Sequence, residues 1–249
     1  MAPTRPWISP LALRIFGLLC LAVAVWMYMP RKPSAAPAPA PEPPARLCAV
    51  YPGGFVDATL AIEFARTPAD VDCIVSLARP GSIARGLRWD RFVIALYWSI
   101  LTCLGLLFRQ SGLPGSPGLG LAAVVCAAGG AVADMMENRG IAVLLAGTRD
   151  QEAVDAVRAA CYWKWWLLAI AFALVLVFLS RRGRWAWIPG LFFLLATAGL
   201  VLSLLLPGWL PHLQETLTAM SLALLTSVLL FILHPRSLVP PPQDGLFGI

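Results

Sequence analysis

Acidic and amide side chains recur at helical spacing late in one of the apolar segments. Asp134, Glu137 and Asn138 stand at positions i, i+3 and i+4, so a helix places them on one face. Carboxylates in this arrangement could act as general acid and base, relay protons, or bind a cation or a head group. Because such groups are costly near hydrocarbon unless they are neutralised, the pattern predicts basic partners on a neighbouring segment.

A turn at residues 147 to 151 determines which bases those partners are. Its glycine can end one helix, and the following Thr-Arg-Asp-Gln has the form of a capping box that begins the next. In an antiparallel hairpin folded here, equidistant positions face each other, which brings Asp134 near Lys164 and Glu137 near Arg158. We predict a hairpin of long helices that stands about 20 Å out of the membrane.

A second polar pair lies at the start of another apolar segment. Asp90 and Tyr97 share a helix face by the i, i+7 relation. Asp90 could pair locally with Arg88 or Arg91, and Tyr97 could be a buried aromatic residue with a bonded hydroxyl. If Asp90 instead points into the bundle, it would join the two acids of the first cluster, and one carboxyl would hold a proton.

Two interpretations of these charged residues stay open. The ion pairs could serve only to hold the hairpin together, since charges in a low-dielectric setting must find partners. Alternatively, the cluster is a functional site, either a proton relay or a polar pocket for a lipid head group or a small solute.

The composition sets the class of structure in which these residues must be positioned. Of 249 residues, 59% are hydrophobic and 13% charged, with a mean hydropathy of +0.76. Soluble chains carry about 25% charged residues. Apolar blocks of about 20 residues can each cross the membrane as a helix. We predict an all-α, polytopic membrane helical bundle of about six transmembrane helices, with the long hairpin between helices 3 and 4. The predicted spans cover about residues 11–29, 92–108, 118 onward, 162–180, 185–206 and 217–233.

The same patterns predict the organisation of the chain. The predicted segments are an uncleaved N-terminal transmembrane anchor (1–29), a Pro/Ala-rich spacer (30–46), an extramembrane loop with a short amphipathic helix (47–90), a five-helix transmembrane bundle (91–234) and a disordered tail (235–249). The loop helix should begin at Thr67, which can cap it ahead of a proline and an acid in its first turn.

The cysteines and the charged residues give information about which side of the membrane each loop faces. Cys48 and Cys73 both lie in the large loop and could form a disulfide, which favours an oxidising exterior for that loop. Six spans place both termini on the same side, and this loop would leave them inside. The arginines flanking the spans give conflicting signals about orientation. We expect a multi-pass protein of the inner, cytoplasmic membrane.

Few cofactors or partners are indicated. The six cysteines form no Cys-x-x-Cys motif, and His212 and His234 lie far apart, so we expect no metal and no other cofactor. The net charge of +6 comes mainly from Lys and Arg at the ends of apolar blocks, which does not indicate nucleic acid. Membrane lipid is the expected partner, with another membrane protein or a homo-oligomer as further options.

A broad group of uncharacterised bacterial multi-pass inner-membrane proteins resembles this chain over roughly residues 55 to 180. The shared succession is Thr67-Pro68-Ala69, Asp90-x-Phe92 with Tyr97, Asp134-x-x-Glu137-Asn138, and Lys164 before an apolar helix. The resemblance implies an inner-membrane helical bundle in which these polar positions are family features. It implies no particular reaction.

Catalytic signatures give no further direction. The chain contains no Gly-x-Ser-x-Gly elbow, Walker loop, dinucleotide fingerprint or His-Glu-x-x-His motif. We therefore predict a non-enzymatic membrane bundle with a binding, interaction or structural role. One alternative is a proton- or ion-coupled transporter of a small solute. Another is a lipid-modifying enzyme in which Asp134 and Glu137, flanked by Lys164, act as acid and base.

Overall fold

A computed structural model describes residues 8–28, 58–78, 81–206 and 212–239, and every element within them is helical. The α-helices are α1 (Pro10–Tyr28), α2 (Ala58–Glu63), α3 (Pro68–Leu77), α4 (Ser82–Arg109), α5 (Ser116–Leu145), α6 (Gln151–Ser180), α7 (Trp187–Leu205) and α8 (Leu213–Leu233). Six of these, α1 and α4 to α8, are long and apolar enough to cross a membrane. The predicted multi-pass helical bundle is confirmed.

The six long apolar helices pack in a ring, in which each helix contacts the next and α1 contacts both α8 and α4. Helices α4 to α8 each pack on the next in chain order, and α1 packs on α8. Trp26 of α1 also lies edge-on to Trp89 and Phe92 of α4, with ring centroids 5.7 and 5.6 Å away, which brings the first helix back to α4. The start of α1 lies beside the short turn Pro235–Ser237 after α8, so these two parts of the chain share one end of the bundle.

The hairpin of α5 and α6 is present and folds at the predicted turn. Gly147 adopts a φ of 109°, a left-handed conformation that favours glycine, directly after the cap of α5. The capping differs from the prediction: Asp150, not Thr148, is the N-cap of α6, and its carboxylate accepts from the Ala153 amide. Each helix has 30 residues. At 1.5 Å per residue they exceed the ~30 Å hydrocarbon core by about 15 Å.

The segment predicted to be an extramembrane loop contains more helix than expected. Helix α3 begins as expected, with a capping box between Thr67 and Asp70, but α2 precedes it. Helix α4 starts at Ser82, so the predicted boundary between residues 90 and 91 lies inside a helix. Hydropathy misses these first turns because they carry exposed arginines, although Ile83 and Leu87 are buried one turn apart.

The segments predicted to be spacer and tail are only partly described. Residues 30–46 and Cys48 lie outside the described residues, whereas Cys73 is disulfide-bonded. The prediction of disorder from residue 235 onward is wrong for residues 235–239. Leu238 and Val239 are apolar and become buried in the core, which fixes this part of the chain.

The closest approach of α4 and α5 gives a test of the packing. A Cβ added to Gly120 would lie 2.6 Å from the Gly105 carbonyl oxygen, whereas one added to Gly118 meets nothing within 4 Å. Because backbone atoms of α4 cannot yield without separating the helices, Gly120→Ala should lower the free energy of unfolding by about 1–3 kcal/mol. Gly118→Ala, the matched control in the same helix, should be neutral or stabilising. Thermal unfolding in detergent measures both, and equal effects would contradict this packing.

Candidate functional site

Lys164 of α6 lies at the centre of a buried polar cluster. Its Nζ is 2.7 Å from Glu137 Oε1, 3.0 Å from Glu63 Oε2 and 3.4 Å from Asp134 Oδ1. The Lys164 residue is only 3% exposed and Glu137 only 1%. Three carboxylates, from two different helices, therefore share one ammonium group. We call Glu63, Asp134, Glu137 and Lys164 the ion cluster.

Helix α5 supplies two of the acids and connects them to α4. Its acidic face is turned inward, and Asp134, Glu137 and Asn138 are all buried. The Tyr97 hydroxyl donates to Asp134 Oδ2 at 2.9 Å, and Asn138 Nδ2 donates to Asp90 Oδ2 at 2.5 Å. The residues predicted from α4 and α5 thus lie together, with Asp90 and Tyr97 extending the cluster on its α4 side.

Glu63 is the member that the sequence analysis did not identify. It ends α2, where it is buried together with Leu60, Ala61 and Ile62. Cys161, one turn before Lys164 on α6, lies with its Sγ 3.7 Å from Glu63 Oε2. A lone acid inside the apolar stretch Ala-Thr-Leu-Ala-Ile-Glu-Phe-Ala was the signal that could have revealed it, since such a residue needs a buried partner.

Arg158 does not belong to the cluster, and its predicted pairing with Glu137 is wrong. Its guanidinium is 2.7 Å from the carboxylate of Asp155, and both side chains are partly exposed. The face of α6 that packs inward follows Val157, Cys161 and Lys164, and Arg158 lies on its flank. Equal distance from the turn predicts the correct height of Arg158 along the hairpin. It does not predict which side of the helix the residue faces.

The charges of the ion cluster do not balance. With all four groups ionised it carries two more negative than positive charges. Glu137 Oε2 is buried, and no described residue forms a hydrogen bond with it. Burial raises the pKa of the Glu63 carboxyl above its ordinary value, although the nearby Lys164 ammonium opposes this shift. A proton taken up by the cluster would reduce the excess charge.

Two further polar contacts tie the segment that contains α2 and α3 to the hairpin. Arg149, in the hairpin turn, pairs with Asp72 of α3. Gln151 Nε2 donates to the Arg66 carbonyl oxygen at 2.9 Å. Together with the Glu63–Lys164 bond, these contacts hold α2 and α3 against α5 and α6 at separate points along the hairpin.

Two acids of the ion cluster and the adjoining Cys161 offer atoms of the kind that bind metals. One ligand atom each of Glu63, Glu137 and Cys161 lie within 4.8 Å of one another. The Lys164 ammonium bonds both of these carboxylates, so it supplies the positive charge that a metal would bring. The two histidines take no part: His212 pairs with Glu215, and His234 stacks on Trp185.

No family model, no curated protein and no solved structure matches this chain. The resemblance to a group of bacterial inner-membrane proteins therefore stays a prediction.

Removal of the shared ammonium should be costly. Lys164→Met leaves three buried carboxylates without their base and should lower the free energy of unfolding by about 3–5 kcal/mol. The matched control, Arg158→Met, breaks a partly exposed pair and should cost less than about 1 kcal/mol. Chemical or thermal unfolding in detergent compares the two variants. Similar small losses would show that water reaches Lys164.

Proposed function

We propose that the protein is a non-enzymatic membrane bundle whose ion cluster docks α2 and α3 on the α5–α6 hairpin. The docked segment forms a fixed surface for another membrane component, either lipid or a membrane protein, including a second copy of this chain. One observation carries the proposal: Lys164 bonds a carboxylate from α2 and carboxylates from α5 at the same time. The Arg149 and Gln151 contacts support docking at further points.

The burial of the cluster favours docking over chemistry on a substrate. A general acid or base must come within hydrogen-bond reach of the group it acts on. Here the side chains of Lys164 and Glu137 are 4% and 1% exposed, and they bond each other. Such a buried ion pair holds its two helices together, because separating them would leave an uncompensated charge on each side.

The level of the cluster along the hairpin supports a role at the membrane surface. Trp163, beside Lys164 in sequence, is 66% exposed, and Tyr162 and Trp98 are also exposed. Aromatic side chains of this kind collect where hydrocarbon meets head groups. We infer that the cluster lies near this boundary, where the docked segment can contact both lipid and extramembrane partners.

Cys161 offers an internal probe of docking. Its free thiol is fully buried against Glu63. Glu63→Ala removes one of the polar contacts that hold α2, so modification of Cys161 by a maleimide should accelerate about tenfold, which corresponds to ~1.4 kcal/mol. Peptide mass spectrometry separates this thiol from the other cysteines. Glu152→Ala, which removes an exposed acid from the first turn of α6, is the control. An unchanged rate in Glu63→Ala would refute docking through this contact.

A second candidate function is proton coupling, favoured by the excess of carboxylates and by the unpartnered Glu137 Oε2. In this case the cluster would take up and release a proton as part of transport. Charged and titratable groups interact with Glu63 from each adjoining helix: Lys164 and Cys161 on α6, Asp134 and Glu137 on α5, and Asp90 on α4.

The direction of the pH dependence follows from Glu63. Because folding raises the pKa of this carboxyl, its stabilisation is complete below the ordinary value of 4.5 and is lost as pH rises through the raised value. The unfolding temperature should therefore fall as pH rises above the ordinary pKa of a glutamate, and Glu63→Gln should lessen that fall. Glu152→Gln should keep the wild-type slope. An identical slope in Glu63→Gln would exclude this carboxyl as the proton site.

A further inference from the structure

The end of the bundle opposite the ion cluster is cationic. Among the described residues it carries six arginines: Arg14, Arg109, Arg181, Arg182, Arg184 and Arg236. The described aspartates and glutamates all lie toward the other end of the bundle, where the hairpin turn is. They belong to α2, α3, the hairpin turn, the start of α8, or the halves of α4, α5 and α6 that are nearer to that turn. No described carboxylate therefore neutralises these arginines, and anionic lipid head groups are the natural source of counter-charge at a membrane surface.

Two adjoining concavities at this end have different chemistry. A polar one is lined by Arg14, His234 and Arg236, together with Ser237. An apolar one runs between α7 and α8 and is lined by Ile188, Leu229 and other aliphatic side chains. Leu233 and His234 line both, so the two concavities adjoin at these residues. A charged pocket joined to an apolar groove matches a phospholipid, which has an anionic phosphate attached to acyl chains.

A stack of side chains lies where the two concavities meet, with Trp185 lining the apolar one and His234 lining both. The rings of Trp185 and His234 lie parallel, with an interplanar angle of 6° and centroids 4.4 Å apart. The Arg184 guanidinium lies 5.0 Å from the centre of the Trp185 ring. Trp185 thus contributes an apolar face to the groove while holding His234 at the edge of the polar pocket.

Arg14 is the residue that most needs a counter-charge. It stands in the second turn of α1, within a segment apolar enough to span the membrane, and its side chain is exposed. Charged residues in spanning segments are costly unless they pair or reach the interface. Helix α1 packs on α8 through Phe16 and Phe231, and this contact places Arg14 beside the turn that carries Arg236.

We propose that this cleft binds an anionic diacyl phospholipid. The phosphate lies between Arg14 and Arg236, and an acyl chain follows the groove between α7 and α8. Charge complementarity and the exposed apolar side chains of the adjoining groove, Ile188, Leu229 and Leu233, carry the assignment. This site is separate from the ion cluster and does not depend on the docking function proposed above.

Native mass spectrometry of the detergent-purified full chain tests the proposal. Dioleoylphosphatidylglycerol should bind at least about fivefold more tightly than dioleoylphosphatidylcholine, equivalent to ~1 kcal/mol. The double variant Arg14→Gln/Arg236→Gln should lose this preference. The matched control, Arg109→Gln/Arg181→Gln, removes two exposed arginines from the same end and should keep it. If the double variant does not fold, the single variants Arg14→Gln and Arg236→Gln should each reduce the preference.

Other occupants give distinct results. Equal binding of the two lipids, or an equal loss of preference in the control variant, would overturn the proposal. Glycerol 3-phosphate binding as tightly as phosphatidylglycerol would show a site for free phosphate, without a role for the groove. A rise in phosphatidylglycerol binding in Asp244→Asn would assign the pocket to the chain's own C-terminal segment.

Discussion

One ammonium group connects the long apolar helices of the protein to the short helix α2. Lys164 reaches Glu63 at the end of α2 as well as Asp134 and Glu137 on α5. Buried charges of this kind stabilise only when every partner is present, because each one left alone carries its full desolvation cost. The position of α2 therefore depends on the rotation of the hairpin helices and on the inward face of α5, and each of these depends on the others.

Much of the fold was predictable, because long apolar segments and turn residues act locally. Hydropathy alone predicts the six spanning helices, and the glycine at position 147 predicts the hairpin. The acids at positions 134 and 137 predict that their face of the helix is turned into the bundle, because an unpaired carboxylate in hydrocarbon is energetically costly. From these signals, the proximity of Asp134 and Lys164 could be anticipated without coordinates.

What escaped prediction depends on contacts between distant segments or on helix rotation. Glu63 lies 101 residues before Lys164, and nothing local shows that α2 folds onto the hairpin. Arg158 has the right distance from the turn but the wrong angular position, so it takes Asp155 as its partner. Leu238 and Val239 look like part of a polar, proline-rich tail until the core provides a place for them. The two ends of the bundle also differ in character. Lys164, Arg149 and Arg158 pair with acids at the hairpin end, whereas no described acid lies at the other end, which carries six described arginines.

The central claim is that Glu63 and Lys164 stabilise the fold through each other, and a double-mutant cycle measures this coupling directly. Unfolding free energies are needed for the wild type, Glu63→Ala, Lys164→Met and the double variant under one set of detergent conditions. We expect the double variant to lose less stability than the sum of the single losses, by about 1–3 kcal/mol. Additive losses, within about 0.5 kcal/mol, would mean that the two residues act independently and would contradict the shared ion cluster.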